Sequence, residues 1–264
     1  MYEFMHDLLS DHKGGEIFRC FGIWHFCYIL FVLIGIAVIC LLLKNKKDSV
    51  KQNAVSTLID IAFGLYIADF FLMPFAYEEI DIEKLPFHVC TAMCVMCFLS
   101  RHVRPLRKYS VHFALLGFIS NLVYLIYPAG VMWHAVHPLS YRVIQTLMFH
   151  GIMTAYGFFA VAFDREGLRF RKCRNDLAVL VLMTVWAIIG NLLYNGEAGS
   201  YSAFYNWFFV VEDPFGIFDK SIAPFVMPFV DIVLFFAAEM IVYVIYNTVR
   251  RLVPNKECGE IQEL

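Results

Sequence analysis

Seven apolar stretches follow one another along the chain, and the shorter segments between them hold most of the charged residues. Most of these stretches are about 17–25 residues long. An α-helix of that length rises about 1.5 Å per residue and crosses the roughly 30 Å hydrocarbon core of a bilayer. The pattern therefore predicts seven membrane-spanning helices, the third being the shortest, at residues 21–43, 54–77, 85–100, 110–132, 141–163, 176–195 and 223–249.

The composition supports the same class. Hydrophobic residues make up 60% of the 264 residues, charged residues make up 17%, and the mean hydropathy is +0.65. A soluble domain carries about 25% charged residues. We therefore predict an all-α fold, a polytopic transmembrane helical bundle, and exclude a soluble or disordered chain. The net charge of −2 gives no indication of nucleic-acid binding.

The basic residues predict the orientation. Of the 21 lysines and arginines, 16 fall in the segments after the first, third, fifth and seventh stretches. The other connections hold few basic residues and include the acidic residues Glu78, Glu79, Asp81 and Glu83. Cytoplasmic loops carry the excess of Lys and Arg. We therefore expect an extracytoplasmic N-terminal segment (1–20), a seven-span domain (21–251) and a cytoplasmic tail (252–264). The aromatic-rich connection 196–222 is predicted to form an interfacial belt or a short re-entrant segment.

Several polar residues lie at a similar predicted depth, in the outer half of the membrane. They come from six of the seven helices: His25, Asp69, His88, Cys90, His150, Asn191 and Asp231. A charged side chain in a span costs about 2.5–3.5 kcal/mol and usually faces the bundle interior. The pattern thus predicts a shared polar site. The alternative is a set of separate interhelical hydrogen bonds worth about 0.6 kcal/mol each. Asp60, His112 and Glu239 lie deeper and are expected to be structural.

Cys90 is the best-placed nucleophile in the chain. Pro86 suits the first position of a helix, so Cys90 would fall in the opening turns, where the helix dipole favours a thiolate. His88 lies two residues away and would point about 200° around the helix, so His150 is the better base. Asp69, Asp231 or Asn191 would orient that histidine, and Asn191 is also a candidate donor to an oxyanion.

The cysteines also suggest a different chemistry. The sequence CTAMCVMC from Cys90 to Cys97 has the spacing of a three-cysteine iron–sulfur motif. Such a motif requires a cytosolic loop and a large soluble domain, whereas here it lies within an apolar stretch. We therefore expect Cys94 and Cys97 to be packing residues, and we expect neither a cofactor nor a metal ion. Most of the eight cysteines lie in apolar stretches, so a disulfide framework is not expected.

Short motifs spread over nearly the whole chain resemble one family. They are FGIWHF around His25, LPFHVC ending at Cys90, SRHVRP after the third stretch, FHG containing His150, and GNLLYN followed by Tyr201. Together they resemble the TMEM164 / YwaF family of integral membrane proteins, whose animal members move a fatty acyl chain between phospholipids.

The resemblance implies a cysteine and a histidine as the catalytic pair. Cys90 matches the nucleophile and His150 the histidine, while His25 and His88 match motif positions without an assigned role. Cys94, one turn deeper, is the other candidate nucleophile. The basic loops look like those of the bacterial branch, which implies a multi-pass protein of the bacterial cytoplasmic membrane with membrane lipids as acyl donor and acceptor.

Three functions remain open at this point. The first is an intramembrane acyltransferase with a Cys90 nucleophile and a His150 base. The second is a transport or small-ligand-binding protein with a His/Asp-lined site, which would tolerate Cys90→Ser. The third is a metal-binding membrane protein that uses His25, His88 and His150.

Overall fold

The computed structural model describes residues 2–9, 15–77, 82–132, 135–164, 167–194, 205–214 and 216–252. In these ranges the repeating structure is helical, without strands. The α-helices are α1 (Tyr2–Leu9), α2 (Ile23–Leu43), α3 (Asp48–Tyr77), α4 (Val89–His102), α5 (Arg104–Arg107), α6 (Ser110–Ile126), α7 (Tyr141–Ala162), α8 (Cys173–Tyr194) and α9 (Ala223–Leu252).

Five of these helices are long and apolar enough to cross a membrane: α2, α3, α7, α8 and α9. The remaining two apolar stretches form shorter helices, α4 with 14 residues and α6 with 17. The all-helical, multi-pass class is therefore confirmed. The count of seven spans and the orientation of the termini stay predictions.

The helices differ in how deeply they are buried. In α7, 15 of the 22 residues are buried, whereas in α2 the buried residues are His25 and Leu43 alone. α4 and α6 also have largely buried faces. The difference follows from composition, because α7 carries His, Thr and Gln side chains that need protein partners and α2 is almost wholly apolar. α4, α6 and α7 thus form the interior, and α2 leaves most of its side chains exposed on the outside of the bundle.

The ends of α2, α4, α7 and α9 border the connections rich in Lys and Arg, and we call this the basic end of the bundle. Two hydrogen bonds at this end join the start of α3 to the end of α7, and α9 to the segment before α8. Gln52 Nε2 donates to the Phe163 carbonyl oxygen at 3.1 Å, and Asn247 Nδ2 donates to the Leu168 carbonyl oxygen at 3.0 Å.

The third apolar stretch begins its helix later than expected. Pro86 lies in a turn and not at the first helical position; His88 is the N-cap and α4 starts at Val89. The turn is held from α8, because Trp186 Nε1 donates to the Pro86 carbonyl oxygen at 2.7 Å and Phe87 stacks on the same indole. Cys90 is therefore the second residue of its helix, closer to the N-terminus than the proline suggested.

Two connections contribute to the core. Trp207 and Phe208 are buried in the main hydrophobic cluster, so this part of the long aromatic connection folds into the bundle and does not form a belt. In the N-terminal segment, Leu9 of α1 packs on Met73 of α3. Three earlier expectations lie outside the described residues: the acidic Glu78, Glu79 and Asp81, the Tyr201 of the family motif, and the tail from residue 253.

Candidate functional site

Helices α4, α6 and α7 meet at a glycine of α6. A Cβ atom on Gly117 would lie 3.3 Å from the Met93 Cβ of α4 and 3.6 Å from the Met153 Cε of α7. α4 and α7 run in the same direction along the bundle, and α6 runs between them in the opposite one. Residues three or four positions apart share a helix face. One helical turn further from the basic end, each of the three helices carries another side chain on the same face. These three side chains therefore lie at the same height in the bundle.

We call this the Cys90 level. It contains Cys90, Ser120 and His150, each three residues from the residue of its own helix that packs at Gly117. The Cys90 thiol lies next to the Ser120 hydroxyl of α6 and interacts with it. The Ser120 hydroxyl in turn donates to the Gly117 carbonyl oxygen at 3.2 Å. The nucleophile predicted from the sequence is thus partly buried and touches a polar group of a neighbouring helix.

The ring of His150 is held in one tautomer. Its Nδ1 lies 2.7 Å from the Thr146 carbonyl oxygen, so Nδ1 carries the hydrogen and donates it. Nε2 then has a lone pair available to accept a proton, which is the form that a general base requires. The Tyr124 ring stacks on the imidazole with 3.7 Å between centroids and 12° between planes. The ring is fixed by a backbone carbonyl and an aromatic face.

A positive charge lies beside this level. Lys84 Nζ is 2.8 Å from Asp69 Oδ2, and the ammonium is close enough to interact electrostatically with both His88 and His150. The Tyr141 hydroxyl also reaches Asp69. The structure therefore brings Asp69, His88 and His150 into one electrostatic neighbourhood through a lysine. Because Asp69 pairs with this lysine, the neighbourhood holds an ion pair and not an uncompensated cation.

The other predicted site residues make separate contacts. His25 uses both ring nitrogens, accepting from Phe21 N–H at 3.0 Å and donating to the Leu125 carbonyl oxygen at 2.8 Å. The bond to Leu125 joins the start of α2 to the end of α6.

Asn191 holds the aromatic connection in place. Its Nδ2 donates to the Trp207 carbonyl oxygen at 3.0 Å, and its Oδ1 accepts from Trp207 N–H at 3.1 Å. Asp231 is buried on α9 and interacts electrostatically with Asp213. The group that orients His150 is thus the Thr146 carbonyl, in place of the three side chains considered from the sequence.

A second polar cluster lies nearer the basic end. Asp176 Oδ1 is 2.6 Å from His112 Nδ1, and Tyr243 Oη donates to Asp176 Oδ2 at 2.5 Å. Asn175 Nδ2 lies 3.3 Å from His112 Nε2. Both carboxylate oxygens of the buried Glu239 lack a hydrogen-bond partner among the described residues. The Asp176 cluster ties together α6, α8 and α9.

Four residues of the site were not linked to Cys90 and His150 by the sequence: Ser120, Asn121, Tyr124 and Thr146. Three of them could have been found, because Ser120, Asn121 and Tyr124 follow Gly117 at spacings of three and four and so share one face of α6. Asn121 donates to the Gly117 carbonyl oxygen at 2.7 Å. Its buried Oδ1 has no partner within the described ranges.

No group of three His, Cys, Asp or Glu side chains in the described parts of the chain is arranged to hold a metal ion. Cys94 and Cys97 are buried in the main hydrophobic cluster. The sequence suggested a metal site formed by His25, His88 and His150. His25 is not available for it, because both of its ring nitrogens form hydrogen bonds with the protein backbone.

Comparison with known proteins gives one match. The model of the TMEM164 family matches residues 20–247, which include every residue of the Cys90 level and of the Asp176 cluster. No curated protein and no solved structure matches the chain.

Proposed function

The chain belongs to the TMEM164 family of membrane proteins, and on that premise we propose that it is an intramembrane acyltransferase that moves a fatty acyl chain between lipids. The observation that carries the proposal is the Cys90 level. A thiol at a helix N-terminus and an imidazole with an available Nε2 each lie one helical turn before the residue of their own helix that packs at Gly117. Nucleophilic catalysis by cysteine uses this pair of groups.

In the first half-reaction, His150 Nε2 accepts the Cys90 thiol proton and the sulfur attacks the carbonyl carbon of a lipid ester. A carbon–sulfur bond forms, the ester carbon–oxygen bond breaks, and the leaving alcohol of the lysolipid takes the proton from His150. In the second half-reaction the hydroxyl of an acceptor lysolipid gives its proton to His150 and attacks the thioester. A carbon–oxygen bond forms, the carbon–sulfur bond breaks, and the Cys90 thiolate takes the proton from His150 as the new ester leaves.

The oxyanion of each tetrahedral intermediate needs donors that are already in place. The first N–H groups of α4 have no partner inside the helix and lie beside Cys90. Lys84, which is paired with Asp69, lies close to His150. Asn191, whose amide holds Trp207, is not needed for this role.

The proposal includes the membrane topology. α4 and α6 would cross as interior helices, giving seven spans with the N-terminus outside, in a bacterial cytoplasmic membrane. The 14 residues of α4 rise about 21 Å, less than the roughly 30 Å of the hydrocarbon core. A helix this short can cross because longer helices surround it. Lipid donor and acceptor would enter sideways from the bilayer.

A second candidate function is transport or ligand binding without covalent chemistry. It is favoured by α9, where the buried carboxylates Asp231 and Glu239 lie on one face, and both have oxygens without a hydrogen-bond partner in the described residues. Intramembrane carboxylates of this kind often line ion or proton pathways. A transporter would retain its activity in Cys90→Ser, whereas the transferase would not.

The role of His150 is tested by covalent labelling. The probe is a fatty acyl chain that carries a chloroacetamide group, applied to the protein in detergent. We expect labelling at Cys90, slowed at least about tenfold in His150→Gln, because proton removal by a positioned base contributes that much or more. Peptide mapping by mass spectrometry locates the label and gives its rate.

The matched control is Cys94→Ala, one turn deeper on the same helix and fully buried. It should leave the labelling of Cys90 unchanged. If the label is found on the exposed Cys27 and Cys40, and its rate is the same in the wild type and in His150→Gln, the enzyme proposal is wrong and ligand binding is the better account.

A further inference from the structure

A polar recess opens at the basic end of the bundle, far from Cys90 along the helix axes. It lies between α3, α4, α6 and α7 and has a volume of 280 Å³. Its polar lining includes Ser56, Ser100, Arg101, Arg107, Tyr156 and Asp164. We call this cavity the arginine recess.

The recess exists because α4 is short. Its 14 residues rise about 21 Å, whereas α3 has 30 residues and rises about 45 Å. Arg101, in the last turn of α4, binds the Ser56 carbonyl oxygen, and α3 extends about two turns past this point to Asp48.

Arg101 is fixed on one wall of the recess. Its Nη1 donates to the Ser56 carbonyl oxygen at 3.0 Å and pairs with the carboxylate of Asp60, one turn further along α3. Both partners belong to the same helix, so the guanidinium is held in one direction.

Arg107 extends the same wall. Its Nη2 donates to the Arg101 carbonyl oxygen at 3.2 Å. Within the described residues, the hydrogen bonds of the two side chains use one nitrogen of each guanidinium, Nη1 of Arg101 and Nη2 of Arg107. A guanidinium has five N–H donors, so both arginines retain donors for a ligand.

The charge around the recess is positive. The segment 101–108 carries Arg104 and Lys108 besides the two lining arginines and contains no acidic residue. Lys51 lies at the rim, with its Nζ 5.5 Å from the centre of the Phe163 ring. Two carboxylates among the described residues oppose these cations: Asp60 pairs with Arg101, and Asp164 lines the recess. The hydroxyl groups of the lining add neutral donors beside the guanidinium groups.

We propose that the arginine recess binds a phosphoryl group, supplied either by a phospholipid headgroup of the adjoining leaflet or by a soluble phosphate ester. Arginine pairs with phosphate through two parallel N–H···O bonds, and a pair of arginines with hydroxyl donors is a common phosphate site. The volume accepts a phosphate with a small organic substituent. The site is separate from the acyl-transfer chemistry at Cys90 and does not rest on it.

The test is direct binding to the purified protein in a neutral detergent, measured by isothermal titration calorimetry. The probes are inorganic phosphate, glycerol 3-phosphate and dioctanoyl phosphatidic acid, with dioctanoylglycerol as the probe without phosphate. We expect phosphatidic acid to bind and dioctanoylglycerol not to bind. Binding of glycerol 3-phosphate as tight as that of phosphatidic acid identifies a soluble ester as the ligand, and weaker binding identifies a lipid headgroup.

The variants Arg107→Gln and Arg104→Gln remove the same charge from the same segment, but only Arg107 lines the recess. Arg107→Gln should weaken binding about tenfold, because it removes charge-assisted hydrogen bonds. Arg104→Gln should weaken it less than about twofold, the effect of an exposed charge alone. Equal losses in the two variants, or no binding of any phosphate-bearing probe to the wild type, would overturn the proposal. Cys90→Ser should bind like the wild type.

Discussion

Cys90→Ser is expected to lose acyl transfer by about 10³-fold or more while the protein stays folded. A serine hydroxyl has nearly the same size and retains the contact with Ser120, but its proton is far harder to remove than that of a thiol. His150 supplies one hydrogen-bond acceptor and has no carboxylate bound to its Nδ1. Such a base activates a thiol more readily than an alcohol.

The measurement is transfer of a radiolabelled acyl chain from a phospholipid to a lysophospholipid in mixed micelles. Cys27→Ser is the matched control, because Cys27 is exposed on α2 and lies outside the Cys90 level. It should retain full activity. If Cys90→Ser transfers acyl chains within twofold of the wild type, the covalent mechanism fails.

Asp176→Asn is expected to lower the free energy of unfolding by about 3–5 kcal/mol. The wild-type carboxylate is fully buried and accepts hydrogen bonds from His112 and Tyr243. An asparagine removes the charge and presents an N–H₂ group to one of two donors, so a buried donor loses its partner. Because the cluster joins α6, α8 and α9, the loss affects the packing of three helices.

Thermal unfolding in detergent compares Asp176→Asn with two milder variants. Tyr243→Phe removes one hydrogen bond and should cost about 1–2 kcal/mol. Glu212→Gln breaks the exposed pair with Lys220, whose atoms lie 3.2 Å apart, and should cost less than about 1 kcal/mol. An Asp176→Asn protein that unfolds at the wild-type temperature would show that the cluster does not hold the three helices together.

Much of the fold follows from hydropathy, because long apolar helices are recorded directly in the sequence. The seven predicted stretches match α2, α3, α4, α6, α7, α8 and α9 in position. Helix ends were less predictable. The start of α4 at Val89 depends on Trp186 and Phe87, which pack across from another part of the chain. Proline preference alone placed that start too early.

The candidate site could be predicted in part. Equal predicted depth put Cys90 and His150 at one level, and each lies one turn before the residue of its helix that packs at Gly117. Depth cannot show which way a side chain points around its helix. For this reason His25 and Asn191, at the same predicted depth, bind the backbone at Leu125 and Trp207. The hydrogen bond from His150 to the Thr146 carbonyl oxygen could not be predicted, because every residue has a carbonyl group.

The central claim is that Cys90 carries the acyl chain as a thioester, and trapping that intermediate tests it most directly. The wild-type protein is mixed with a dioleoyl phospholipid in the absence of an acceptor, quenched in acid and analysed by intact-protein mass spectrometry. We predict a mass increase of one oleoyl group, located on the peptide that contains Cys90 and removed by hydroxylamine. A wild-type protein that transfers acyl chains with no such adduct, or with the adduct on another cysteine, would contradict the account.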